Sequence, residues 1–349
     1  MAHLDFFFLV YTDGDSPRPL TDPEIRWHEL PNVPLPNPGD ELFGPWAGEA
    51  SRELKKMRRA FLFEAHRDRL REPEQFFAHV NGALASSISG LRGYAVDVLR
   101  LWPLPIRELE ELPQDPLPED LFAVGFEDVT AGGIRAQSFG LAKLGQREVR
   151  FTFTDRSLMD EAALLVAHLA DYAMHHSRRV EHGQTMSFGF DRLTFQASEG
   201  AEAGGPFRAW HAPLVQAVLP EEAFTGVGML DLKAHLPLSE ETTSDLTDVL
   251  RRSLLQRLLL EELGMPGDAP SQHAVLRTCG CPELATAWKA VRDEPNASKD
   301  SGWSVTCVKA HAQKDLHERT VGDLTRRVAS LLRYLALPPG CTVIWNGPT

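Results

Sequence analysis

The residue types that could do chemistry in this chain gather in two places: His175, His176 and His182 near the middle, and Cys279, Cys281, Cys307 and Cys341 in the last third. Imidazole nitrogens and thiolates are common zinc ligands, so the histidines permit one enzymatic reading, a metal-dependent hydrolase or transferase. The spacing argues against it. Structural zinc sites pair cysteines two to four residues apart with a matching second pair, whereas the one close pair here is separated by Gly280 alone. That pair is also too tight for an ordinary disulfide framework. Sequence therefore predicts no metal and no cofactor, with the cysteines as reduced, buried small hydrophobes. The histidines, with Arg178 and Arg179, become cations that complement a helix C-terminus.

Other reaction chemistries fare no better. No Gly-x-Ser-x-Gly elbow occurs, and the Gly-rich residues 200–206 have neither the Lys-Ser/Thr ending of a phosphate loop nor a dinucleotide spacing. A basic stripe for nucleic acid would have to come from Lys55, Lys56, Arg58 and Arg59, but Glu49 and Glu53 dilute it into a solvated helix face. No catalysis is implied.

Binding chemistry is better served. Residues 292–303 run Arg-Asp-Glu-Pro-Asn-Ala-Ser-Lys-Asp-Ser-Gly-Trp, a charged turn that leads into an aromatic strand start. Asp300 and Ser301 can bond backbone donors two residues on, and Gly302 tolerates dihedrals that other residues resist. Trp303, Val305 and Cys307 then fall on one face and Ser304, Thr306 and Val308 on the other, with residues 287–291 as the partner strand. Trp303 is expected in the core. Arg292, Asp293, Glu294 and Asp300, together with Asp315 and Glu318, are the candidates for touching a partner.

The pattern Arg-Asp/Glu-x-Pro, four residues, then Asp-Ser-Gly-Trp resembles the hallmark of a bacterial immunity-protein domain found beside polymorphic toxins. Arg292, Asp293, Pro295, Asp300, Ser301, Gly302 and Trp303 occupy its positions. The resemblance covers the last quarter of the chain, through Leu331, Leu332, Pro338, Pro339, Gly340 and a last strand at residues 341–344. It implies a small α+β domain that binds and neutralises a toxin. Where many relatives carry a Gly-Asp-Glu cluster after the Trp strand, this chain has Lys309, Ala310 and His311, with Asp315 and Glu318 only later. The N-terminal part is similar, more weakly, to uncharacterised bacterial immunity-associated domains, on residues 138–145, Glu148, Val149 and residues 183–185. A suppressor-of-fused-like domain has a comparable helix, Gly turn and later strand.

Bulk properties agree with a protein-binding role. Apolar residues at 43% and charged residues at 24% are ordinary for a soluble globular protein. With 36 basic and 49 acidic residues, the net charge of -13 disfavours nucleic acid and anionic membranes and favours a basic protein partner reached by electrostatic steering. No apolar run approaches a bilayer span and no cleavable leader is legible, so the expected address is cytoplasmic.

Elements must position these residues. Residues 4–11 and 60–65 read as core strands, residues 17–45 as a long Pro-rich surface loop onto which Trp27, Phe43 and Trp46 would pack, and residues 49–59 as a polar helix. A helix follows Pro73 up to Gly90, then a strand at residues 94–102, a solvated connector to residue 120, and strands at 122–129 and 147–154. Asp155 caps a helix with Leu158, Ala162, Leu165, Val166, Leu169, Tyr172 and Ala173 inward and Asp160, Glu161 and His168 facing elsewhere. Residues 215–219 and 226–236 read as strands. A last long helix buries Leu246, Val249, Leu250, Leu254, Leu258 and Leu259 and breaks at residues 264–271.

The expected architecture is α+β, with mixed and antiparallel sheets and packed helices. A large N-terminal domain spans residues 1–265 and a small C-terminal immunity-like domain residues 272–349. A strand, a helix and a further strand recur before and after residue 120, which would divide the large domain into similar halves, 1–120 and 121–265, although no residue-by-residue repeat is legible. The function so implied is neutralisation of a cognate toxin, against two rivals: an effector-binding adaptor or chaperone of a secretion system, and the histidine-based enzyme. Oligomeric state is not legible.

Overall fold

The continuous apolar run of residues 6–11 stands at the centre of the first sheet because both of its faces have a core to meet. A computed structural model of the protein describes residues 4–32, 52–67, 73–98, 102–109, 122–129, 132–175, 179–198, 229–236, 241–309, 311–312 and 315–347. Strands β1 (Leu4–Thr12), β2 (Ile25–Glu29), β3 (Arg59–Arg67), β4 (Gly93–Asp97) and β5 (Trp102–Pro105) form an antiparallel sheet in the order β2-β3-β1-β4-β5. Phe6, Phe8 and Val10 join one apolar cluster while Leu9 and Tyr11 join another, so the run is two interleaved period-two stripes. Helix α1 (Pro73–Ile88) closes the first cluster with Phe76, Phe77, Val80, Leu84 and Ile88, and the Phe6 and Phe76 rings meet edge to face at 5.8 Å. A short helix α2 (Ile106–Leu109) follows β5.

Three local expectations change here. The Pro-rich stretch contains β2, whose Trp27 packs edge-on against Phe63 at 4.8 Å and Phe61 at 6.4 Å, which is enough apolar contact to pin it on β3. The single strand expected at 94–102 is the pair β4 and β5, and of the helix expected at 49–59 the described part is one turn at residues 52–54. Phe43, Trp46, most of the connector before residue 120, the Gly-rich loop and the strand expected at 215–219 lie outside the described residues.

The second sheet comprises β6 (Ala123–Val129), β7 (Gly133–Phe139), β8 (Glu148–Phe153), β9 (Thr185–Phe188), β10 (Asp191–Ala197), β11 (Met229–His235) and β12 (Thr242–Thr243). Its order is β6-β7-β8-β11-β10-β9 with β12 on β11, and the β8–β11 pair is parallel. The Asp155 carboxylate accepts the Ser157 N–H at 3.0 Å and starts the turn into α3 (Met159–His175). Leu158, Ala162, Leu165, Val166, Leu169 and Ala173 join the cluster that already holds the Phe6 face of the first sheet. Glu161, expected to face away, is 1% exposed. It accepts hydrogen bonds from Ser253 at 2.8 Å and Arg257 at 2.7 Å on α4 (Thr247–Leu263), and this neighbouring helix makes the polar residue inward-facing. Among the described residues the pairs of the first sheet are all antiparallel, and the second sheet has one parallel pair.

The third sheet takes β13 (Val275–Thr278), β14 (Trp288–Arg292), β15 (Asp300–Cys307), β16 (His317–Thr320) and β17 (Thr342–Trp345) in the order β16-β13-β15-β14-β17. Helix α5 (Val321–Arg327) and a 3-10 segment (Ala329–Tyr334) pack on it and give it an apolar cluster of its own. Helix α4 serves two of the three clusters: Val249 and Leu250 belong to that of Phe6, Leu259 to that of the third sheet. Leu258, expected inside, is 46% exposed, and the inward position is taken by Gln256, whose amide donates to the Leu332 carbonyl at 2.7 Å. The fold is α+β with mixed and antiparallel sheets. No helix among the described residues is long and apolar enough to cross a membrane.

Candidate functional site

The charged turn is built residue by residue from its own sequence. Strands β14 and β15 are antiparallel, with Arg292 opposite Trp303 and Trp288 opposite Cys307, so residues 293–299 form the hairpin connection. The Asp300 carboxylate closes that connection: it accepts the Asn296 N–H at 3.0 Å and the Gly302 N–H at 2.9 Å, and these donors hold its pKa below the ordinary carboxylate range. Ser301 donates to the Val275 carbonyl at 2.7 Å and accepts from the Trp303 N–H at 3.2 Å. Gly302 has φ of +73°, and a Cβ there would lie 2.1 Å from the Asp293 carbonyl oxygen, so both conformation and space require glycine. Trp303 is 1% exposed and donates its indole N–H to the Leu335 carbonyl at 3.2 Å, a core position as predicted.

Arg292, a predicted contact residue, is instead inside. Its guanidinium donates to the carbonyls of Asp268 and Leu335, each at 3.0 Å, and of Leu337, and it lies 5.7 Å from the Trp303 ring centre. The pairing of β14 with β15 places Arg292 beside inward-facing Trp303, and three main-chain carbonyls gather at its Nη1 while its buried Nε has no hydrogen-bond partner. Asp293, Glu294 and Pro295 are exposed, while Asp300 is half-buried and engaged in the turn. Asp315 and Glu318 are also exposed, Glu318 at the middle of edge strand β16 and Asp315 just before that strand, towards the end away from the hairpin. Val275 pairs with Asp300, whereas His317 pairs with Thr278 and Thr278 with Val305. Through Arg277, Glu318 is level with Ser304, four residues and roughly 13 Å along the strand direction from Asp300.

That far end holds a convergence that local spacing concealed. Strands β13 and β15 are parallel neighbours, so their C-terminal ends emerge side by side and carry Cys279 and Cys281 against Cys307 and His311. The four ligand atoms lie within 4.8 Å of one another. His311 Nε2 is 3.0 Å from Cys307 Sγ and 3.7 Å from Cys281 Sγ, and the Cys307 N–H donates to Cys279 Sγ at 3.3 Å. Desolvation raises the Cys279 thiol, but N–H donation from Cys307 and Cys281 outweighs it and leaves the group below the ordinary thiol range. Desolvation and the neighbouring cysteines push Cys281 up to about 11. The parallel pairing is the missing signal, because it joins two short pairs, Cys-x-Cys and Cys-x3-His, that are far apart in sequence.

The histidine cluster is only partly visible. His182 Nδ1 accepts the Ala197 N–H at 3.0 Å, while His176 and the side chain of His175 lie outside the described residues. A cavity of about 300 Å³ opens between α3, the β9–β10 turn, α4 and residues 267–269. Of its lining charges, Asp191 accepts two hydrogen bonds from Arg252, at 2.6 and 2.9 Å, and Arg257 serves Glu161. The residues that carry the N-terminal resemblance form a buried polar knot. Glu148 accepts from Ser138 at 2.6 Å and from the N–H groups of Gly140 at 2.9 Å and Ala142 at 3.1 Å. Desolvation, opposed by those donors, pushes its pKa up to about 7. Lys143, fully buried in the same turn, pairs with Asp97 of the first sheet.

The third sheet with its helices is therefore a small α+β unit with its own core, a stiffened acidic hairpin at one end and a thiol–imidazole cluster at the other. It is immunity-protein-like. Residues 255–349 match the family model of the Imm33-like domain, a stretch that begins inside α4, ahead of the break at residues 264–271, and includes both the hairpin and the cluster. No curated protein and no solved structure matches the chain.

Proposed function

We propose that the protein is a non-catalytic immunity protein that binds a cognate bacterial toxin and blocks its action in the cytoplasm. The observation that carries this is the Imm33-like match over residues 255–349. The surface chemistry supports the same reading. Asp293 and Glu294 project from a hairpin whose backbone is fixed by Asp300, Ser301 and Gly302, so little ordering cost accompanies binding. The net charge of -13 speeds encounter with a basic partner and repels nucleic acid and anionic membranes. Asp300 acts by holding the loop, and Asp315 and Glu318 form a second acidic edge available to a large partner.

The test is co-expression of the full chain with a candidate cognate toxin, scored for growth rescue and for a complex recovered by affinity capture. Rescue with a complex is expected. A complex that leaves the toxin active would make the protein an adaptor or chaperone, and neither rescue nor complex would overturn the reading.

A further inference from the structure

The geometry points to a closed Cys3His metal site, in which Cys279, Cys281, Cys307 and His311 bind a borderline-soft divalent cation, zinc first, as a structural staple of the C-terminal sheet. Tetrahedral zinc with Zn–S near 2.3 Å sets its sulfur ligands about 3.8 Å apart. Ligand atoms that all lie within 4.8 Å of one another, with imidazole nitrogen 3.0 and 3.7 Å from two sulfurs, already surround such a point. Three thiols and one imidazole are the donor set that selects zinc over magnesium or calcium, and four protein ligands leave no open position for a reacting water.

Local structure supports each ligand. Cys279 leaves the end of β13, Cys281 is the residue before the 3-10 turn Pro282–Ala285, and Cys307 ends β15, so three of the four ligands are set at the margins of regular elements. The Cys307 N–H already donates to Cys279 Sγ at 3.3 Å, an outer contact that stabilises a thiolate. On binding, each thiol loses its proton to solvent, and three thiolates with a dication leave one negative charge. Lys309, ion-paired with Glu283 at 2.5 Å, also interacts electrostatically with Cys307 and Cys281. A purely apolar role for the cysteines does not account for a half-buried imidazole drawn to two sulfurs. Nor does a catalytic thiol at Cys307, which is 1% exposed and beyond the reach of a substrate. The site is independent of the immunity reading, because it rests on the sheet alone.

The experiment uses the full chain, expressed with added zinc and purified without a metal-affinity tag. Elemental analysis should find one zinc per chain, and cobalt exchanged into the wild-type protein should give the intense visible absorption of a tetrahedral thiolate site. Cys307→Ser and His311→Ala should each lose most of the metal, while Cys341→Ser should keep it. Because a ligand variant can simply unfold, a second measurement uses wild type alone. Chelation should lower the unfolding midpoint by about 5–10 °C, reversibly on zinc addition, and should expose three further thiols to a thiol reagent. Metal-free wild type with no cobalt spectrum, or a disulfide between Cys281 and Cys307 in freshly prepared protein, would overturn the site.

Discussion

Arg292 is a cation whose hydrogen-bond partners are main-chain carbonyls, those of Asp268, Leu335 and Leu337. Arg292→Met keeps the length of the side chain and removes every donor, so several buried acceptors lose their partner at once. The loss should be about 3 kcal/mol in urea unfolding, and an unchanged midpoint would contradict the role. Sequence misplaced this residue because its local context, next to Asp293 and Glu294, reads as surface, while its acceptors come from 24 to 45 residues away. Glu148 is the complementary case, a buried carboxyl among donors, pushed up to about 7 by desolvation. The folded state therefore holds its proton more tightly than the unfolded chain. Its contribution is fully present below about pH 4.5 and is lost as pH rises through about 7. Unfolding free energy should fall across that window by on the order of 3 kcal/mol from this group, and Glu148→Gln should flatten the slope. An unaltered slope in the variant would count against the assignment.

Elements were legible where one period dominates. Residues 6–11 read as a core strand because two stripes alternate within an apolar run, and Trp303, Val305 and Cys307 read as inward because their strand keeps a clean period of two. Strand β2 was hidden by prolines, since its support is the tertiary contact of Trp27 with Phe61 and Phe63. Leu258 is exposed because α4 packs on two clusters at once, so no single stripe describes it, and Glu161 of α3 is turned inward by Ser253 and Arg257 of α4. The thiol–imidazole cluster was invisible because its ligands meet only through the parallel pairing of β13 with β15. The hairpin yields the prediction at this scale. Gly302→Ala adds a left-handed backbone penalty of roughly 1–2 kcal/mol to a collision with the Asp293 carbonyl. The variant should lose at least about 2 kcal/mol in chemical denaturation, and a loss under about 0.5 kcal/mol, the range of an ordinary surface substitution, would show that the turn relaxes freely.

At the scale of the whole molecule, α4 contributes to two of the three apolar clusters, and the C-terminal sheet carries the acidic hairpin at one end and the thiol–imidazole cluster at the other. On the proposed reading, recognition falls to Asp293 and Glu294 and their positioning to the hairpin turn closed by Asp300. The most direct measurement is the affinity of the purified full chain for a candidate cognate toxin, against the double variant Asp293→Lys, Glu294→Lys, at low and moderate salt. Toxin inhibition through the acidic hairpin predicts a complex whose association slows with salt, and at least a roughly tenfold weaker one in the variant, with the unfolding midpoint unchanged. No complex with wild type, or equal affinity in the variant, would contradict it.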